Sequence, residues 1–239
     1  MENKSISPSF MLGVFICIGL VLLGYLISGS VVKIKALERT VEVKGLSERE
    51  VPANIAIWPI KFKEAGNDLN GLFSSLQRKN TIIAEFLKNQ GFNEKDISIS
   101  APAIVDRQAQ ENTESDKSRY RYSGTSTISV YTDNVDSVRN GMQKLIELGK
   151  LGIAISGETY ESKTLFLFTK LNEIKPGMIE EATKNAREVA EKFAQDSKSK
   201  LGRIKSASQG QFSIEDRDNN TPYIKKVRVV STVQYYLTD

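Results

Sequence analysis

Apolar and polar residues alternate along the chain with three different rhythms. Phe10–Ile27 is an unbroken stretch of 18 residues without a charge. At about 20 residues per crossing, that length predicts a membrane-spanning helix over 10–30, behind a short tail at 1–9. An uncleaved anchor is favoured over a signal peptide, whose apolar core is about 7 to 15 residues. From there on the period is 2 or 3.6. Val41 and Val43 alternate with Glu42 and Lys44, predicting a strand, and Gly45–Glu50 reads as a polar turn. Ile55–Phe62 is apolar on both faces and predicts a central strand. Pro59 inside it calls for a bulge or an unpaired side.

Leu69, Leu72, Phe73, Leu76, Ile83, Phe86 and Leu87 recur at helical spacing, with Asn67 or Asp68 as cap and Gly91 as stop. A strand at Ile97–Ala101, the polar loop 106–118 and a returning strand in "YRYSGTSTISVYT" suggest a long hairpin. A second helix carries Val135, Val138, Met142, Leu145 and Ile146. Short strands follow at Ile153–Ile155 and Leu165–Phe168. A third helix, with Pro176 in its first turn, carries Met178, Ile179, Ala182, Ala186, Val189, Ala190 and Phe193 on one face. Its alanines suit close approach to a sheet. Two strands end the chain, near Arg203–Ser208 and Lys225–Leu237. The expected class is α+β: a mixed, mainly antiparallel sheet with about three helices on one face, preceded by one N-terminal transmembrane helix. Residues 31–239 form the soluble domain of this reading.

Composition narrows the chemistry. There is no histidine, and the single cysteine, Cys17, sits in the apolar stretch. The rest of the chain therefore has no disulfide, no thiolate or imidazole metal site, and no Ser-His or Cys-His pair. The net charge of +4 lacks the clustered basic stripe of a nucleic-acid protein. No phosphate-cradling glycine loop is present. Ser197 and Lys200, and Ser30 and Lys33, each make an S-x-x-K, without the partner motifs of serine acylases. "EDRDNN" opens like a calcium loop but has Thr221 and Val227 where glycine and glutamate are needed. No catalytic, metal or cofactor-binding residue is assigned, and no cofactor is expected.

Two groups remain for binding. Lys184, Arg187, Lys192, Lys198, Lys200, Arg203 and Lys205 give the third helix and its exit a basic bias. This fits either a solvated helix end or contact with anionic lipid or polymer. "RYRY", Arg119, Tyr120, Arg121 and Tyr122, combines two residue types enriched where proteins meet. It reads either as a charged edge strand or as an oligomer or partner contact. Alternation would put its arginines on one face and its tyrosines on the other.

"VEVKGLSEREVPANIAIWPIKF" resembles the opening of the SIMPL-domain family, bacterial periplasmic immunogenic and oxidative-stress-associated proteins. The matching residues are Val43, Gly45, Glu48, Val51, Pro52, Asn54 and Ala56, with Asn54 where aspartate is usual. "EEATKNAREVAEKFAQDSKSKLGRI" and "VRVVSTVQYYL" are similar to its third helix and last strand, so the likeness covers Leu37–Leu237. The resemblance implies an exported domain with no accepted enzymatic activity and no catalytic residues to carry over. It also implies a homo-oligomer, since some members are thought to form rings. With the apolar helix, it implies attachment to the bacterial inner membrane through residues 10–27, with the domain in the periplasm or extracytoplasmic space. No nucleic-acid partner is expected, and a protein partner is left unnamed. The function expected is non-catalytic self-assembly or partner binding in the envelope, with a link to stress. The alternatives are a carboxylate-based enzyme and a module for anionic lipid or polymer.

Overall fold

The computed structural model describes residues 8–37, 39–109, 119–157, 159 and 162–238. Most of the polar loop 106–118 and most of the N-terminal tail fall outside them. The chain is α+β with two antiparallel sheets. Its helices are α1 (Pro8–Leu37), α2 (Leu69–Asn89), α3 (Val135–Gln143), α4 (Ile146–Lys150) and α5 (Leu171–Asp196). Its strands are β1 (Thr40–Pro52), β2 (Ile55–Gly66), β3 (Ile97–Ile99), β4 (Ala103–Asp106), β5 (Tyr122–Thr132), β6 (Leu165–Leu167), β7 (Lys200–Gln209), β8 (Ser213–Asp216) and β9 (Ile224–Thr238).

The expected membrane anchor is corrected. Among the described residues no helix is long and apolar enough to cross a membrane. The apolar stretch is only part of α1, which runs on past Ile27 through Ser28, Ser30, Lys33 and Lys35. The placement in the bacterial inner membrane by a single N-terminal helix, which rested on that span, is withdrawn with it.

The single mixed sheet is also corrected. One sheet runs β1-β9-β7, with β8 beside β9; the other runs β3-β5-β2-β6, with β4 beside β5. The strands β1 and β2, adjacent in sequence, part company because their inward residues suit different partners. β1 turns Val43, Gly45 and Ser47 inward, a row of small side chains. β2 turns Ala56, Trp58, Ile60 and Phe62 inward, a mostly bulky row.

By packing, the chain divides into two compact units. One is Met1–Glu48, Lys175–Phe212 and Arg228–Asp239; the other is Arg49–Ile174 and Ser213–Val227. In the first, β1 continues through the stretch expected to turn. Gly45 is in a strand there because a helix backbone presses on it. A Cβ at this position would lie 1.9 Å from the Ala182 oxygen and 2.4 Å from the Ala186 nitrogen. The α5 alanines do let the helix lie close: Ala186 and Ala190 pack with Val43, Val233 and Tyr235. Ser47 donates to Glu181 (3.0 Å), and Asn185 donates to the Leu46 carbonyl (2.8 Å). Val189 and Phe193, expected on the buried face, are exposed, because the buried row is the narrow one of Met178, Ala182, Ala186, Ala190 and Ala194. Pro176 lies inside α5, past its first turn, since the helix already starts at Leu171.

In the second unit, α2 packs on β2 and β5, and α3 packs on β2. Asp68 caps α2, accepting from the Gly71 amide, and Asn134 caps α3, accepting from Ser137. The core gathers Trp58, Ile60, Phe62, Leu76, Ile83, Leu87, Ile128 and Val130. Pro59 sits opposite Ser129 of β5, while β6 pairs only with Ile55–Ile57. On the β6 side Pro59 thus lies beyond the ladder, where its missing donor costs nothing. The expected strand at Ile153–Ile155 is reduced to one bridge between Ile155 and Phe62.

Candidate functional site

Antiparallel sheets with one solvated face usually show polar residues on it. In β5, Ser123, Thr125, Thr127 and Ser129 follow that rule and alternate with inward residues. At the β6 end the rule breaks. Leu165 and Tyr131 flank Ile57 in register, and Leu167 stands beside Ile55. Registered partners point to one side of a sheet, so all five share the outer face, opposite the buried Ala56, Trp58 and Phe166. Tyr131 is 58% exposed, Leu165 47% and Leu167 39%. Among the described residues β6 is the last strand on its side, so these apolar side chains border a strand edge with no partner there.

One residue fixes this edge. The Asn54 amide donates to Thr169 Oγ1 and accepts from the Thr169 backbone N–H, each at 2.8 Å. Its own N–H donates to the Leu167 carbonyl at 2.9 Å. Asn54 therefore holds both the end of β6 and the residue two places beyond. A carboxylate in its place keeps the contact to the Thr169 N–H but has no N–H of its own to donate.

The Arg119–Tyr122 stretch is built differently from a two-faced strand, because β5 begins only at Tyr122. Tyr122 packs against the core, and Tyr120 is exposed. The Arg121 guanidinium grips Asp106 with Nε (3.1 Å) and a terminal nitrogen (2.8 Å), and it covers the Tyr122 ring at 4.9 Å. That grip holds the Asp106 carboxyl below the usual carboxylate range, helped by the Gln108 N–H. The Arg121 N–H donates to Asn67 Oδ1 (2.9 Å), which is why Asp68 and not Asn67 caps α2. Arg121 is thus committed within its own unit. Arg119 sits over the Tyr120 ring at 5.9 Å. Of the four, only Tyr122 turns to the core, while Arg119, Tyr120 and Arg121 are exposed; nothing in the stretch points to the apolar face of β2, β5 and β6. The signal that could have marked that face was the apolarity of both faces of Ile55–Phe62.

The remaining sequence candidates resolve into local structure. Ser197 Oγ donates to the Ala194 carbonyl, a helix-end bond, and the side chains of Ser30 and Lys33 lie outside the described set. In the 215–220 stretch, Asp218 accepts from the Asn220 and Thr221 amides, from the Thr221 hydroxyl and from Arg217. Those bonds, the Thr221 hydroxyl first and Arg217 next, lower its pKa to about 2. Among the described residues, no group of three or more His, Cys, Asp or Glu side chains is placed to hold a metal ion.

A family model described as "SIMPL: Protein of unknown function (DUF541)" matches residues 41–235. No curated protein matches the chain.

Proposed function

We propose, from the premise that this chain belongs to the SIMPL family, that it works without catalysis, by associating with further copies of itself through the outer face of the β3-β5-β2-β6 sheet. The observation that carries this reading is the group Ile55, Ile57, Tyr131, Leu165 and Leu167. It is contiguous and apolar, with Tyr131, Leu165 and Leu167 exposed and Ile55 and Ile57 half-buried between them, and among the described residues it lies beside an unpaired strand edge. Single apolar residues on a surface are ordinary; a joined group of them at an edge is the pattern of a docking face. Self-association suits it, because an edge strand adds to its own kind through backbone bonds while the side chains beside it exclude water. Arg119 and Tyr120 are a second contact of the same assembly.

The test is the solution mass of the full chain by sedimentation, beside a Leu165→Lys/Leu167→Lys variant. Both proteins keep α1, so any association through that apolar helix is common to them. A discrete assembly that falls apart in the variant supports the reading. Equal masses in the two proteins sink it. Arg119→Glu is expected to weaken the same assembly, and an unchanged mass removes Arg119 from the contact.

A further inference from the structure

In the unit containing α5, an open groove of about 720 Å³ runs between that helix and β7. Lys184 and Arg187 line it from α5 and Arg203 from β7, against one carboxylate, Glu180. Its lining thus carries two net positive charges. Lys184 and Arg203 make no ion pair among the described residues, and Arg187 spends only Nε on Glu191 at 3.0 Å. The basic series along α5 and its exit is therefore not one uniform solvated face. Three of its members converge, and two of those three make no ion pair among the described residues.

The shape behind this convergence is a bulge. Leu201 pairs with Leu237 and Ile204 with Tyr235, so Gly202 and Arg203 oppose the single residue Tyr236. A bulge re-aims the side chain at the extra position, and here that side chain is Arg203. Gly202 allows it, since a Cβ there would meet the Tyr236 carbonyl oxygen at 2.9 Å. Apolar surface comes from Ile204, 51% exposed, and from the ring of Tyr235, which is 3% exposed yet lines the groove. Thr183 adds a hydroxyl. Burial raises the Tyr235 pKa, so the phenol stays protonated and able to donate.

We propose that this groove binds a phosphate monoester whose organic part is apolar. A monoester carries close to two negative charges above its second pKa of about 6, which matches the lining. Arginine forks suit phosphate oxygens, and Ile204 with the Tyr235 ring offers the organic part a place out of water. This site is independent of the sheet face proposed for assembly.

Phenyl phosphate is the probe, titrated calorimetrically into the full chain at pH 8 and low salt, with inorganic phosphate and phenol in parallel. Saturable binding of phenyl phosphate is expected, tighter than inorganic phosphate, with no saturation by phenol. Lys184→Ala/Arg203→Ala should weaken it about tenfold or more, since both charges are exposed and their removal spares the fold. Arg228→Ala, an exposed cation outside the groove, should leave it unchanged. Absence of saturation with phenyl phosphate, or equal affinity in the double variant, overturns the proposal. Equal affinity for inorganic phosphate overturns its apolar half.

Discussion

At Asp218 a single carboxylate holds a whole turn. Four donors point at it, and its pKa stands at about 2 against 3.8 for an unperturbed aspartate. A depressed carboxyl stabilises the fold above its unfolded pKa and loses that contribution as pH falls through the folded one. The turn at 217–221 is therefore expected to hold its amide protection at pH 5 and lose it between about pH 4 and 2. Asp218→Asn should remove that pH dependence, read by hydrogen exchange at Asn220 and Thr221. Persistence of the transition in the variant would assign it to another group. Gly45 is the second decisive residue. Gly45→Ala should destabilise the chain by about 3 kcal/mol or more, because helix backbone and not a side-chain tip stands in the way. Urea denaturation measures this, and a loss below about 0.5 kcal/mol would mean that α5 lifts off cheaply. The sequence made Gly45 look like a turn because glycine between polar residues marks turns and close approaches alike. Only the helix lying over it, more than 130 positions away, tells them apart.

At the scale of elements, periodicity was readable wherever the chain supplies its own answer. The cap of α2 and the strand at β9 both follow from neighbouring residues. What failed were decisions made by distant partners. Val189 and Phe193 share the helical period of the α5 core but stay outside it, since an alanine seam is narrower than the apolar stripe drawn from spacing. The β6 edge depends on Asn54, which the sequence marked only as a departure from an aspartate. Asn54→Ala should cost about 2 kcal/mol through two lost side-chain hydrogen bonds. It should also raise hydrogen exchange at Leu167 and Thr169 more than elsewhere. Uniform protection across β2, β5 and β6 in that variant would remove Asn54 from this role. Arg121 shows the same dependence on a distant partner, since its guanidinium pairs with Asp106, fifteen positions earlier.

For the whole molecule, α+β content was legible, but the count of sheets was not. Adjacent strands usually pair, and that rule joined β1 to β2, where the small and bulky inward rows keep them apart. The candidate face arises from the same choice, because β2 becomes an inner strand whose outward isoleucines meet Tyr131 and the leucines of β6. Assembly through that face makes the stability of the chain depend on its concentration. The melting temperature is expected to rise by a few degrees over a hundredfold increase in protein, and not to rise for Leu165→Lys/Leu167→Lys. A concentration-independent midpoint in the unmodified chain would count against assembly.

The Gly45 contact also constrains how such a chain changes over generations. Positions 45, 182 and 186 meet at one point where there is no room for another methyl group at 45. A larger side chain at 45 would be accepted only after α5 had moved outward. Such a movement would leave the alanine row too small for the gap. The three positions are therefore expected to drift together, and a lineage that loses the glycine should be found to have enlarged its alanines as well.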